Sequence, residues 1–246
     1  MTDRAVRIDL ATDAIVNIDL QPTFMPGGGL PVAGGDEIIP LVQRLNLLFP
    51  PRQRYATLDK HPRGHISLAS SYKGLAPYSQ LTAAEVASWT AADNRFAAGA
   101  HFRLPDLQSY LAQVKTQTLW PDHGLIGTPE SELHPDLVRR DYRFVLIKGT
   151  NPRCDSYSGL RDNLRHPTGL GELLHVDGVK RIFLTGLALD FCVGFTALDA
   201  RDYGFEVFVI EDATRAVALP GTVEAMRAAF LKAGVRLIQS EDLIAF

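Results

Sequence analysis

Arg181-Ile182-Phe183-Leu184-Thr185-Gly186-Leu187-Ala188 is an apolar run that leads, through a short turn, to Cys192 and an amphipathic segment from Val193 to Tyr203. An apolar strand feeding a helix is the repeating unit of a parallel sheet covered on both faces. The same alternation spreads outward from it. Ala14 to Asp19 reads as a first strand and Asp36 to Phe49, with Pro40 in its early turns, as the first helix. Tyr55 to Asp59, Arg143 to Lys148 and Glu206 to Ile210 read as further strands. Thr222 to Lys232 reads as a last helix ending at Gly234, and Arg236 to Gln239 as a short edge strand. The expected fold is therefore α/β, three layers around a mostly parallel central sheet. We expect one domain over residues 1–246, with a long insertion at about 66–119 that holds only weak helical patches, Ala83 to Trp89 and Leu107 to Val114. That insertion has so few aliphatic residues that it predicts a poor core of its own.

Composition narrows the function. The 246 residues carry a net charge of −3 and no Lys/Arg cluster, which argues against nucleic acid or an anionic membrane as the partner. No apolar run reaches the roughly 18 residues of a membrane span. Met1-Thr2-Asp3-Arg4 leads towards a strand without a signal-peptide core, so the expected location is cytoplasmic. Two cysteines, Cys154 and Cys192, are too few for a disulfide framework and fit a reducing compartment.

The reactive side chains fall on strand ends. Asp19, Asp59 with His61, Lys148, and Ala188 leading to Cys192 each stand at the C-terminal end of a different expected strand, the edge where open parallel sheets bind ligands. A thiol at a helix N-terminus meets unsatisfied N–H groups and a partial positive charge, which favour a thiolate and an oxyanion beside it. Asp19 can take the proton of such a thiol, and Lys148 can hold the thiolate. Taken singly, Asp19 also suits a turn before Pro22, and Lys148 an exposed strand end. Asp59 and His61, two residues apart on an extended segment, point the same way and form a metal-type pair; His65 and His123 are candidate further ligands. A carboxylate with two or three imidazoles suits Zn²⁺, Fe²⁺ or Mn²⁺ with positions left open for water or substrate.

These residues sit in motifs that resemble the nicotinamidases, also called pyrazinamidases, of the isochorismatase-like cysteine hydrolases. The carriers are Asp19-Leu20-Gln21-Pro22-Thr23-Phe24 with Gly27-Gly28-Gly29-Leu30; Asp59-Lys60-His61-Pro62-Arg63-Gly64-His65-Ile66-Ser67; Trp120-Pro121-Asp122-His123; Ile147-Lys148-Gly149; and Gly186-Leu187-Ala188-Leu189-Asp190-Phe191-Cys192-Val193. The resemblance implies Asp19, Lys148 and Cys192 as the catalytic acid, lysine and nucleophile. It implies Asp59, His61 and His123 as ligands of one divalent metal ion, zinc first, with His65 as an additional candidate. Phe24 and Trp120 would sandwich a pyridine ring. The N–H groups of Ala188 and Cys192 would form the oxyanion hole, beside a cis peptide at Leu187–Ala188. The implied reaction converts nicotinamide, or pyrazinamide, to the acid and ammonia, a step of NAD salvage, with a homo-oligomer as a possible assembly. Three positions depart from the family pattern: Thr23 where Asp is common, Lys60 where Trp is usual, and Gly124 where Cys often follows the metal histidine. Rival readings are a related amidase acting on another small amide and a binding module without turnover. Isochorismatase-type enzymes would lack the cysteine and the metal set.

Overall fold

The computed structural model describes residues 5–244; the lead-in at Met1 to Arg4 lies outside them. In chain order the elements are β1 (Val6–Arg7), β2 (Asp13–Ile18), α1 (Ile39–Asn46), β3 (Arg54–Asp59), β4 (Gln80–Thr82), α2 (Ala83–Ala87), α3 (Leu104–Val114), β5 (Thr116–Thr118), β6 (Phe144–Lys148) and α4 (Leu170–Val176). They continue with β7 (Arg181–Leu187), α5 (Cys192–Asp202), β8 (Glu206–Arg215), α6 (Thr222–Ala233), β9 (Arg236–Ile238) and β10 (Leu243–Ile244).

Six strands form one parallel sheet in the order β6-β3-β2-β7-β8-β9. The chain starts in the middle at β2, builds outward through β3 to β6, then returns to the other side of β2 with β7. The strand order therefore reverses between β2 and β7, and such a reversal opens the crevice in which doubly wound sheets bind ligands.

Alternation along the strands divides the side chains between two cores. Ile15, Phe183 and Phe208 face one side, where α1 supplies Ile39, Val42 and Leu45. Val16, Ile182, Leu184, Val207 and Val209 face the other, against Leu174 of α4, Val193 and Ala197 of α5, and Met226 and Phe230 of α6. Strands buried on both faces read as nearly unbroken apolar runs, which is why they are conspicuous in the sequence.

Three details differ from the sequence reading. The first helix is shorter, Ile39–Asn46, because the residues on either side form turns. β8 runs on to Arg215, its pairing with β7 shifting register between Leu184 and Gly186. The third concerns the insertion, which has a core after all: Tyr72, Trp89, Phe102 and Tyr110 pack with Ile66, Leu81, Val86, Leu107 and Leu111. Aromatic rings supply there what the expectation sought from aliphatics. A two-stranded antiparallel sheet, β4 with β5, joins them. The ends of the insertion meet where Leu68 bridges Trp120 and Trp120 N–H donates to Ser67 O at 2.8 Å, which brings the Trp120 ring back to the main sheet.

Candidate active site

β6, β3, β2 and β7 are neighbours, so their C-terminal ends line up Lys148, Asp59, Asp19 and the turn to Cys192 along one edge. The centre is the Lys148 ammonium. Its Nζ lies 3.0 Å from Asp19 Oδ2, 2.9 Å from Asp59 Oδ1 and 3.5 Å from Cys192 Sγ, and it donates to Ser156 O at 2.7 Å. The ammonium is wholly buried. Burial opposes its charge, but the carboxylates of Asp19 and Asp59 outweigh burial and hold Lys148 well above the usual lysine range.

Asp19 has φ +49, a left-handed conformation that aspartate tolerates better than most residues. This bend at the end of β2 carries its carboxylate over to β3, where Thr57 Oγ1 donates to Oδ1 at 2.6 Å. Oδ2 accepts no hydrogen bond, although Lys148 Nζ is near enough to form an ion pair with it. Burial pushes the Asp19 carboxyl above the ordinary carboxylate range, against the pull of Lys148. Burial likewise pushes the Cys192 thiol well up, with Lys148 acting in the opposite direction. The resting pair is thus a protonated thiol beside an aspartate that is a stronger base than one in water.

Cys192 is the first residue of α5. The peptide Leu187–Ala188 is cis, as the resemblance implies. Phe191 and Val193 both donate to Ala188 O at 3.0 Å, closing the turn, while the N–H groups of Ala188 and Cys192 have no acceptor among the described residues. Two free donors beside a nucleophile are the makings of an oxyanion hole.

The metal candidates separate by tautomer. His61 Nδ1 is 3.0 Å from Gly149 O and His123 Nδ1 is 2.8 Å from Pro121 O, so both Nδ1 atoms carry hydrogen. Each Nε2 lone pair then faces the Asp59 carboxylate, at 3.0 Å for His61 and 3.3 Å for His123. Three buried acceptors converging without a donor between them need a cation or an added proton. Burial opposes charge on His61, but the Asp59 carboxylate prevails and raises its pKa. This donor set, with each Nδ1–H fixed by a carbonyl, fits a divalent metal ion. His65 is engaged differently: Ser67 N–H donates to its Nδ1 at 3.3 Å, and its Nε2 lies 3.3 Å from Cys154 O. It belongs to a second grouping, with His61 and Asp155.

The three departures have local explanations. Thr23 Oγ1 accepts the Gly124 N–H at 2.9 Å, and Lys60 pairs with Glu132. Gly124 has φ +54, and a Cβ there would lie 2.4 Å from Asp59 O. Gly149, φ +74, is also required, since its Cβ would lie 2.7 Å from the His61 ring. Gln21 fixes Asp59 from behind, accepting its N–H at 2.7 Å and donating to its carbonyl at 2.9 Å.

Of these groups, Asp59, His123, Ala188 and Cys192 line one cavity, whose empty space is about 370 Å³ with its solvent-open mouth included. Phe24 and Trp120 line it as expected, with Leu30, Val32, Tyr157 and Phe191 completing the apolar walls; Asp59, His123, Asp155, Ala188 and Cys192 lie at the polar end. Trp120 is held edge-on by Phe191, ring centroids 4.8 Å apart, and donates from Nε1 to Tyr157 OH at 3.2 Å. The sequence reading missed Thr57, Asp155, Tyr157 and Phe191, none of which stands out by type or spacing.

Comparison with known proteins gives the family. The isochorismatase domain model matches residues 86–242, and the chain belongs to that family. It is 33% identical, over 94% of both chains, to a nicotinamidase of Acinetobacter baylyi. The solved structure of PnC1 from L. infantum in complex with nicotinate matches 98% of this chain and 100% of its own, with 31% identity and a TM-score of 0.74. The pyrazinamidase of Pyrococcus horikoshii in complex with zinc matches 92% of this chain and 98% of its own, with 28% identity and a TM-score of 0.63. Among the described residues, no helix is long and apolar enough to cross a membrane.

Proposed function

We infer that the chain is a nicotinamidase, hydrolysing nicotinamide to nicotinate and ammonia, a step of NAD salvage, and accepting pyrazinamide likewise. The observation that carries the catalytic assignment is the single ammonium of Lys148 in reach of Asp19, Asp59 and Cys192 at once.

In this reading Asp59, His61 and His123 hold one divalent ion, which supplies a Lewis-acid anchor for the ring nitrogen when bound. We assign zinc, on the donor set and the zinc-bound relative, with Fe²⁺ and Mn²⁺ as the competing ions. Phe24 and Trp120 grip the flat ring and Leu30 and Val32 exclude water from its face, so that the carboxamide carbon is presented to Cys192. Asp19 takes the thiol proton and the sulfur attacks, the Lys148 ammonium steadying the thiolate as it forms. The oxyanion rests on the N–H groups of Ala188 and Cys192, each such donor contributing roughly 3 kcal/mol to lowering the barrier. Asp19 gives its proton to the departing nitrogen, the C–N bond breaks, and ammonia leaves a thioester. Water deprotonated by Asp19 then cleaves the C–S bond, releasing nicotinate and restoring the thiol.

The insertion belongs to the same single domain and returns to the main sheet at Trp120, whose ring lines this cavity. The test is ammonia release from nicotinamide beside pyrazinamide and a panel of unrelated small amides, with metal analysis of the purified protein. Turnover of another amide in strong preference to both pyridine and pyrazine amides would move the assignment to a sister amidase. Cytoplasmic location and a homo-oligomer belong to the same proposal, checked by fractionation and light scattering.

A further inference from the structure

Asp155 is a buried carboxylate with no part in the chemistry above. It is 2% exposed and lines the polar end of the cavity. Its oxygens accept from the Ser156 N–H at 2.8 Å and from Gln117 Nε2 at 3.0 Å, both neutral donors, and no Lys or Arg among the described residues pairs with it. Yet a carboxylate oxygen of Asp155 lies within 4.8 Å of a ring nitrogen of both His61 and His65. Burying a carboxylate without a counter-charge is unfavourable. One ammonium, Lys148, stands among three buried carboxyl side chains, Asp19, Asp59 and Asp155, an acidic setting that suits a cation.

We propose that Asp155 is the charge-balancing partner of the cation site, a positioning residue that does not ligate the ion but raises the cavity's affinity for it across the His61 ring. Gln117 holds it in place, its Nε2 also donating to Thr118 O at 2.7 Å and its Oε1 accepting from Tyr110 OH. Through Gln117 of β5, the insertion is thereby tied to the carboxylate beside the candidate metal site.

This inference rests on the reading that Asp59, His61 and His123 hold a divalent cation. The test uses the full chain as wild type, Asp155→Asn, Asp155→Ser and His123→Ala, stripped with chelator. Zn²⁺ affinity is measured by competition with a chromogenic chelator, and thermal unfolding is recorded with and without Zn²⁺. We expect both Asp155 variants to bind Zn²⁺ about 10- to 100-fold more weakly, the usual effect of losing an outer partner. We also expect metal-free Asp155→Asn to melt at or above metal-free wild type, since the uncompensated charge is gone. A merely structural role would lower both melting temperatures together. Unchanged Zn²⁺ affinity in both Asp155 variants, or equal destabilisation of metal-free and zinc-loaded forms, overturns the inference while loss of zinc by His123→Ala keeps the ligand reading intact. If His123→Ala binds Zn²⁺ as wild type does, the ligand reading fails and takes this inference with it.

Discussion

Replacing Lys148 by methionine keeps most of the unbranched side chain and removes one buried positive charge, and the structure predicts two separate consequences. The first is on stability. Asp19 and Asp59, 3.0 and 2.9 Å from Nζ, lose their shared cation, and breaking a buried pair by removing one partner costs about 3–5 kcal/mol. The second is on the nucleophile. At 3.5 Å and an effective dielectric of about 20, the attraction between ammonium and thiolate is roughly 5 kcal/mol. Even a third of that, about 1.5 kcal/mol, slows alkylation near neutral pH on the order of tenfold. The assay is iodoacetamide labelling of Cys192 across pH, read by peptide mapping so that Cys154 is counted separately. Burial pushes the Cys154 thiol up to about 12, so it labels slowly in either protein and serves as an internal control for unfolding. Lys148→Arg should fail as well, because Nζ already touches four partners in a closed space and a planar fork does not replace a compact ammonium. Superimposable labelling profiles for wild type and Lys148→Met, with melting unchanged, would refute the reasoning and leave Asp19 as the only activator.

Cys192→Ala should abolish amide hydrolysis while leaving metal content and melting near wild type, since the thiol is a nucleophile and Lys148 keeps its other partners; residual turnover above about one per cent sinks the covalent route. Chelator treatment, His61→Ala and His123→Ala should each remove activity together with metal, and a purified chain that holds no transition metal and ignores chelator would contradict the assignment. The acidic limb of kcat/KM should lie above the ordinary carboxylate value of 3.8, because burial raises Asp19 and the base works deprotonated, so activity is lost as pH falls through that raised value. A limb at or below 3.8 argues against Asp19 as the base. Burial holds His65 well below 6.5, so its neutral form contributes stability that is present above pH 6.5 and is lost as pH falls from there towards the folded value; thermal melts of His65→Gln should show a shallower loss across that window.

What could be read from the sequence divides along a physical line. The sheet was legible because strands buried on both faces leave an unbroken apolar signature, and the four reactive strand ends followed from it, since each of Asp19, Asp59, Lys148 and the Cys192 turn is placed by its own strand. α4 was not, because seven residues beginning at Leu170, just after Gly169, are too few to show a helical period. The insertion's core was misjudged for a related reason: Tyr72, Trp89 and Phe102 come from irregular or short segments, and no periodicity marks which rings meet. Asp155 is the clearest case. It lies on a loop six residues beyond Gly149, its fixing partner Gln117 is 38 residues away on the insertion, and the ring nitrogens within 4.8 Å of its carboxylate belong to histidines on a third segment. Nothing local to Cys154-Asp155-Ser156 distinguishes it from a surface turn former. Side chains whose function depends on the end of a strand can be assigned from the chain that carries them, whereas groups that balance charge across a cavity are defined by what the fold brings opposite. A site with two more buried carboxyl groups than ammonium groups shows that second kind of information, because the imbalance exists only once four segments have closed around one cavity.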